Sequence, residues 1–278
     1  MKKISRRSFL AAAGLSVAAL ALTACGGSSA STASSVASSV ASEAASTSAA
    51  AGELTTVEAG KLTMATNAAF PPYEMTTDAG EFEGIDIETA QAIADKLGLE
   101  LQIDDMDFDA ALLSVQQGKA DIVMAGVTVT DERKAVMDFS DSYATGIQSI
   151  IVPEGSDIAS PDDLAGKKIG TQRGTTGYIY CSDDFGDDNV VAYDNGLTAV
   201  QALNNGQVDA VVIDNAPAKE FVAANPGLVI LETSYAEEDY AIGMAKGSSL
   251  EDAINAALEE LKADGTLQSI VDKYITAE

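Results

Sequence analysis

One pattern of eight residues occurs twice in the chain, as QQGKADIV at 116–123 and as NNGQVDAV at 204–211, an offset of 88 residues. Each copy has the features of a helix end, a glycine stop and a buried strand. In open α/β sheets, ligands bind at the carboxyl ends of the strands. The repeat therefore predicts two similar α/β lobes, with a binding site formed by the residues that follow each strand.

The residues after the first of these strands are well suited to holding a small carboxylate. Gly126 lets the backbone approach a ligand, because it has no Cβ. Thr128 adds a hydroxyl, and Arg133 adds a planar fork that fits a carboxylate with two parallel hydrogen bonds. The offset of 88 residues aligns Gly126 with Asp214, so a zwitterion fits between Arg133 and Asp214. The alternatives are a solvated Arg133 and an Asp214 that only forms a turn before Asn215.

The stretch AGVTVTDERKAVMDFS at 125–140 resembles the signature of the polar amino-acid-binding proteins of bacterial ABC importers, the extracellular solute-binding proteins of family 3. The resemblance extends from about Leu62 to Ile275. It implies a two-lobed, periplasmic-binding-protein-like α/β fold with two hinge crossings and the ligand in the cleft between the lobes. The lobes are expected to comprise 54–145 together with 241–278, and 146–240. Within the second crossing, residues 239–245 are predicted to form one strand that returns to the first lobe.

The same resemblance implies the roles of individual residues. Gly126, Thr128 and Arg133 are expected to hold the α-carboxylate of an amino acid, and Asp214 its α-amino group. Phe70 and Phe108 are expected to place aromatic rings on the ligand, and a role in the core is the less favoured alternative for both. A turn at 173–177 opens a helix whose free amides and hydroxyls suit an anion. The predicted ligand-binding set is Asn67, Phe70, Phe108, Ala125, Gly126, Thr128, Arg133, Gln172, Thr175, Thr176 and Asp214.

The class of ligand is predicted from two neutral positions. In relatives that bind basic side chains, the position matching Asn67 is commonly acidic, and the position matching Gln172 is basic in some relatives. Burial of an unpaired side-chain charge is costly. The sequence therefore predicts a neutral, polar amino acid, with glutamine and cystine as leading candidates and lysine, arginine, glutamate and aspartate disfavoured. An additional negative charge would enter the cleft if Glu74, Glu81 or Glu83 folded into it.

The first 53 residues have the composition of an export signal and a tether. Residues 1–24 combine a basic start with an apolar run that is short for a membrane span. The tetrapeptide LTAC at 22–25 resembles a lipobox, which implies lipidation of Cys25 and a lipid anchor to the cell membrane. The segment SRRSFL at 5–10 also resembles a twin-arginine motif, so the export route stays open. Residues 25–53 are rich in serine and alanine and are predicted to form a flexible tether.

Composition excludes several classes of function. The chain has no histidine and two cysteines, which excludes histidine-based catalysis and a Cys/His zinc site, and no metal or cofactor is expected. With 43 acidic against 16 basic residues, it would repel nucleic acid. Asp86 and Glu88 resemble a catalytic carboxylate pair, but their place at a helix start favours capping. No residue is therefore predicted to be catalytic.

These observations predict an extracytoplasmic binding protein that captures an amino acid and delivers it to the permease and ATPase subunits of an ABC importer. We expect a monomer that closes around its ligand by hinge motion. Two alternatives belong to other classes: an enzyme on the same scaffold, like the related cyclohexadienyl dehydratases, and a sensor domain that reports ligand occupancy to a membrane receptor.

Overall fold

A computed structural model of the protein describes residues 54–232 and 234–275. The predicted signal, the predicted lipidation site Cys25 and the predicted tether lie outside this part of the chain. Among the described helices, none is both long and apolar enough to cross a lipid bilayer. The described residues form two larger β-sheets with helices packed on them, and one small antiparallel sheet.

The first sheet contains five strands, and one of them runs antiparallel to the other four. Its strands in spatial order are β5 (Glu100–Asp105), β1 (Lys61–Thr66), β6 (Ile122–Val123), β14 (Gly243–Ala245) and β7 (Met137–Phe139). The helices packed on or near it are α1 (Ile85–Leu97), α2 (Phe108–Gln116), α7 (Glu251–Ala263) and α8 (Thr266–Tyr274). Strand β1 is parallel to both β5 and β6 and is almost wholly buried, as expected for a strand covered on both faces.

The second sheet contains six strands and has a similar construction. Its strands in spatial order are β10 (Val190–Tyr193), β9 (Ile169–Gln172), β11 (Ala210–Asp214), β8 (Ala144–Pro153) and β12 (Leu228–Ile230), with β13 (Ala236–Tyr240) also paired to β8. Its helices are α4 (Thr176–Phe185), α5 (Gly196–Asn204) and α6 (Asn215–Ala224). We refer to the parts built on the two sheets as the first and second lobes.

The repeated pattern produces the same local structure in both lobes. Gly118 ends α2 and Gly206 ends α5, with φ of 65° and 67°, a left-handed conformation that glycine adopts without strain. The aspartate that follows each glycine then secures a neighbouring strand. Asp121 Oδ2 accepts a hydrogen bond from the Thr63 amide, and Asp209 Oδ2 accepts one from the Lys168 amide, both at 2.8 Å. The predicted likeness of the lobes is therefore present in their hydrogen bonds as well as their order of elements.

Two crossings connect the sheets and lie beside each other. The outward crossing enters β8 and the return crossing leaves β13, and these two strands pair antiparallel. Beyond the paired strands, the Tyr143 amide donates to Tyr240 O at 3.0 Å, and the Ser140 amide donates to Ile242 O at 2.9 Å. The prediction of a single strand over 239–245 is wrong in one respect. This segment breaks at Ala241–Ile242 into β13 and β14, because its two halves pair in different sheets.

The remaining elements are short, and they include two 3-10 helices, Pro161–Leu164 and Asp187–Asn189. Strands β2 (Ala69–Phe70), β3 (Glu74–Thr76) and β4 (Phe82–Glu83) form the small antiparallel sheet, and α3 (Asp131–Lys134) is a single helical turn. In the small sheet, Phe70 is directly opposite Glu74. Residues directly opposite each other in an antiparallel pair project their side chains to the same face.

Candidate functional site

A cavity lies where strands of both lobes end. It contains every residue that the sequence predicted to bind a ligand, together with Glu74. The lining residues are Asn67, Phe70, Glu74, Phe108, Ala125, Gly126, Thr128, Arg133, Gln172, Thr175, Thr176 and Asp214. The structure thus brings the predicted set together, although their role in ligand binding remains a prediction.

Arg133 presents a buried guanidinium to the cavity. It lies on α3, whose first turn is capped because Thr130 Oγ1 accepts a hydrogen bond from the Arg133 amide at 3.2 Å. Its side chain donates from Nη1 to Thr128 O at 2.8 Å and from Nη2 to Gly174 O at 3.1 Å. Among the described residues it forms no ion pair, and its residue is only 8% exposed. The solvated alternative is therefore excluded, and several guanidinium N–H groups remain available for an anion.

Gly126 is held in its special conformation by a buried carboxylate. Its φ is 55°, and a Cβ at this position would be 3.0 Å from the Phe70 ring. Its amide donates to Asp86 Oδ2 at 3.0 Å, and the Tyr143 hydroxyl donates to the same carboxylate at 2.8 Å. The Gly126 amide is therefore occupied by Asp86, and the lack of a Cβ is what this residue offers to a ligand.

The predicted capping role of Asp86 is wrong. Helix α1 has Gly84 at its N-cap and no side-chain capping bond, while Asp86 is fully buried. Burial raises the pKa of Asp86 to about 6, and the hydrogen bonds from Gly126 and Tyr143 oppose that rise. The sequence carried a signal for this position, because residue 86 lies on the same helical face as the apolar residues 90, 93 and 97. Its partner in the supposed pair, Glu88, instead contacts Lys273 and Tyr274.

Asp214 ends β11 and faces the cavity from the second lobe. Its carboxylate accepts hydrogen bonds from the Tyr240 hydroxyl and from Gln148 Nε2, the latter at 2.8 Å. It makes no side-chain capping bond to α6, so the interpretation of a simple turn former does not account for its position. Burial raises the pKa of Asp214 to about 7, and the Tyr240 hydrogen bond opposes that rise.

The two predicted aromatic residues serve the core and the cavity at once. Phe70 and Phe108 are 6% and 5% exposed and belong to two different apolar clusters. Phe70 stacks on Tyr73 with 6.0 Å between ring centroids, and the Arg133 guanidinium lies 5.4 Å from the centroid of Phe108. The choice between a core role and a lining role is therefore not exclusive.

The turn at 173–177 uses one of its hydroxyls to form its own helix. Thr175 caps α4 by accepting a hydrogen bond from the Tyr178 amide at 3.3 Å, and it donates to Gln172 O at 2.8 Å. The neighbouring Thr176 hydroxyl lies 3.5 Å from the Thr128 hydroxyl of the first lobe. The lobes also meet where Gln172 Nε2 donates to Asn67 Oδ1 at 2.9 Å.

Glu74 is the lining residue that the sequence did not include. It is fully buried, and neither of its carboxylate oxygens has a hydrogen-bond partner among the described residues. Burial, and then the charge of Asp86, raise the pKa of Glu74 well above its usual range. Its pairing with Phe70 in the small sheet was the missing signal: a hairpin at 69–76 would have placed both side chains on the cavity face. Glu81 and Glu83 do not line the cavity.

The chain is similar in sequence and fold to several known proteins. The family model described as bacterial extracellular solute-binding proteins, family 3, matches residues 62–277. The "probable histidine-binding protein" of Neisseria gonorrhoeae is 33% identical over 96% of this chain and 95% of its own length. The arginine-binding extracellular protein ArtP of Bacillus subtilis is 33% identical over 78% of this chain and 87% of its own. A solved structure, an ancestral arginine-binding protein bound to glutamine, is 43% identical with a TM-score of 0.75, over 78% and 99% of the two chains.

We predict that Tyr240→Phe raises the pKa of Asp214 above its value of about 7, because the hydroxyl stabilises the ionised carboxylate. Loss of a hydrogen bond to a charged group corresponds to a rise of about one to two pH units. Carbon-13 NMR titration of labelled aspartate carboxyls measures it. The matched control, Tyr143→Phe, should raise the pKa of Asp86 and leave that of Asp214 unchanged. An unchanged or lowered Asp214 pKa in Tyr240→Phe would contradict the assignment.

Proposed function

This chain belongs to the bacterial extracellular solute-binding proteins of family 3, and we propose that within this family it is the receptor for a cationic amino acid, with arginine as the first candidate. Its relatives are amino-acid-binding proteins of ABC transporters, and it is a binding protein rather than an enzyme. The observation that carries the proposal is that Arg133, Asp214 and Glu74 line one cavity. In this assignment they bind the α-carboxylate, the α-ammonium and the side-chain cation, respectively.

The first two contacts form a clamp for the zwitterion. Arg133 has no ion-pair partner among the described residues, and its planar fork matches a carboxylate. Asp214 approaches from the other lobe with its carboxylate already oriented by Tyr240 and Gln148. Each protein charge lacks a full counter-charge, so a ligand that brings both signs compensates both groups at once.

The balance of buried charge favours a ligand with a net positive charge. Four buried carboxylates lie in or directly behind the cavity wall, whereas Arg133 is the only cation among the described lining residues. Burial raises the pKa of Glu74, Asp86 and Asp214, and an additional guanidinium or ammonium on the ligand would favour their charged forms, whereas a zwitterion adds no net positive charge. Glu74 supplies the acceptor, since both of its oxygens lack partners. A guanidinium binds such a carboxylate with two parallel hydrogen bonds. The carboxylates are Glu74, Asp86, Asp214 and Glu238.

A neutral, polar amino acid is the second candidate, and the amides of Asn67 and Gln172 favour it. They contact each other within the cavity lining, where a side-chain amide such as that of glutamine finds both donors and acceptors. The raised pKa of Glu74 also allows its carboxyl to be protonated, and in that form it places no unpaired charge beside a neutral ligand. The solved ancestral relative, named as arginine-binding and bound to glutamine, supports keeping both candidates.

Closure of the lobes on the ligand accounts for capture without chemistry. The clamp is complete only when Arg133 of the first lobe and Asp214 of the second face one space. A ligand that contacts both therefore favours the closed state by its differential affinity. The paired crossings β8 and β13 supply the hinge in this account. The closed, loaded protein then delivers its ligand to the permease and ATPase subunits of an importer.

The location of the receptor follows from the start of the chain. We place the mature N-terminus at Cys25, carrying lipid, because LTAC resembles a lipobox and is followed by a long serine- and alanine-rich segment. A segment of this composition is suited to tethering a folded body near the outer face of the membrane.

Arg133→Ala should weaken the binding of arginine by about 2–5 kcal/mol, or about 30- to 4,000-fold, because it leaves the ligand carboxylate buried without a partner. Isothermal titration calorimetry measures the affinity. Arg173→Ala is the matched control, since Arg173 is exposed and, among the described residues, its side chain donates to Ala192 O alone. An Arg133→Ala affinity within about threefold of wild type would remove this residue from the clamp.

Glu74→Gln should separate the two candidate ligands. It keeps the shape of the side chain but removes the charge, so arginine should bind about 10- to 100-fold more weakly, as expected for a hydrogen bond to a charged group. The affinity for glutamine should not fall. Glu83→Gln is the control, because Glu83 lies on the adjacent strand outside the cavity. Wild-type protein that binds glutamine and not arginine in a calorimetric panel would replace the first candidate by the second.

Cys25→Ala should release the protein from membranes or leave it unprocessed, with arginine affinity unchanged. The reason is that the lipid is attached far in sequence from the described body. Membrane fractionation and intact-mass spectrometry of the exported protein measure both properties. A wild-type protein that is found wholly in the soluble fraction, with an N-terminus other than Cys25, would rule out the anchor.

A further inference from the structure

Glu238 connects the two lobes through cavity residues without lining the cavity itself. We propose that Glu238 is a positioning residue that acts as a latch: it favours the closed arrangement before a ligand binds and orients the hydroxyls of Thr128 and Thr176. The inference rests on the proposed function, because it concerns closure of the same site.

The contacts of Glu238 span both lobes and the hinge. Its Oε2 accepts hydrogen bonds from Thr176 Oγ1 at 2.9 Å, Gln148 Nε2 at 3.0 Å and Thr128 Oγ1 at 3.1 Å. Thr128 follows β6 in the first lobe, and Thr176 begins α4 in the second. Glu238 lies on the return crossing β13, directly opposite Gly146 of β8. The acceptor is therefore fixed on the crossing strands, and its hydroxyl donors come from opposite lobes. All three bonds form together only when the lobes are close.

Gln148 allows a second carboxylate to lie beside Asp214. Its side-chain amide has two N–H groups, and its Nε2 donates to Asp214 Oδ2 at 2.8 Å and to Glu238 Oε2 at 3.0 Å. The amide thus bridges two like charges that would otherwise repel each other at close range. The negative charge of Glu238 also opposes the lowering of the Arg133 pKa that burial causes. Glu238 therefore supports the charged form of the residue that holds the ligand carboxylate.

The latch determines which atoms the threonines offer to a ligand. Each hydroxyl has one proton, and in this arrangement both protons are directed to Glu238. In this arrangement a hydroxyl must turn away from Glu238 before it can donate to the α-carboxylate of a ligand, the role expected for Thr128. The other oxygen of Glu238, Oε1, is buried and has no hydrogen bond of standard geometry with a described residue, while burial and then the nearby Glu238 carboxylate raise the pKa of the Tyr180 hydroxyl. An incompletely paired buried carboxylate is costly to stability, which favours a role in the site over a purely structural one.

The test measures closure without a ligand and affinity with one. Glu238→Ala removes the acceptor, and Glu238→Gln keeps an oxygen that accepts from the threonines while losing the charge. Glu237→Ala is the control, because Glu237 is the exposed neighbour on the same strand. Amide hydrogen exchange of the ligand-free mature protein is followed by mass spectrometry, and arginine affinity is measured by calorimetry.

We expect faster exchange in Glu238→Ala at 126–134 and 172–178, with the strands of both sheets unchanged. Arginine should bind about tenfold more weakly or worse, because the apparent dissociation constant rises as the closed fraction falls. Glu238→Gln should show a smaller effect in both measurements, and Glu237→Ala none. If Glu238→Ala does not fold, the Glu238→Gln exchange pattern and affinity decide the outcome.

Three results would overturn the latch. Tighter arginine binding in Glu238→Ala would mean that the carboxylate competes with the ligand. Faster exchange throughout both sheets would mean a structural role, and unchanged exchange at the cleft would mean no role in closure. Wild-type protein that binds no amino acid would instead refute the proposed function, while the ligand-free exchange of the variants would still test the latch.

Discussion

The rest of the site depends on one constraint, the burial of the Arg133 guanidinium without an ion-pair partner among the described residues. A guanidinium taken out of water is costly unless it is paired. Here it donates to the carbonyl groups of Thr128 and Gly174, and nearby carboxylates supply the opposite charge without touching it. Such an arrangement is stable enough to persist but gains further from an incoming carboxylate. In this view, the binding of a ligand and the stability of the closed cleft both depend on how the charge of Arg133 is compensated.

Three of the four buried carboxylates around the cavity accept hydrogen bonds from specific donors. Asp86 receives hydrogen bonds from Gly126 and Tyr143, and Asp214 receives them from Tyr240 and Gln148. Several of these donors lie at the crossings, so the electrostatics of the cavity are coupled to the hinge. Glu74 differs, because it has no donor among the described residues. Burial and then the charge of Asp86 raise the pKa of Glu74, so a cationic side chain of a ligand would favour its charged form.

Sequence reasoning recovered what local chemistry specifies. The repeated pattern of helix end, glycine and strand predicted two similar lobes, because Gly118 and Gly206 each end a helix in the left-handed conformation. It failed where the pairing of strands determines the position of a residue or the end of a strand. Glu74 enters the cavity through its register with Phe70, and the strand over 239–245 breaks because its halves join different sheets. Asp86 was assigned to a helix cap by its position, although its helical face already indicated burial.

The most direct test of the account is a crystal structure of the mature protein with arginine. The account predicts the α-carboxylate on Arg133, the α-ammonium on Asp214 and the guanidinium within hydrogen-bonding distance, about 2.7–3.2 Å, of Glu74. A complex in which the guanidinium is directed away from Glu74, or in which the two α-groups exchange places, would contradict it.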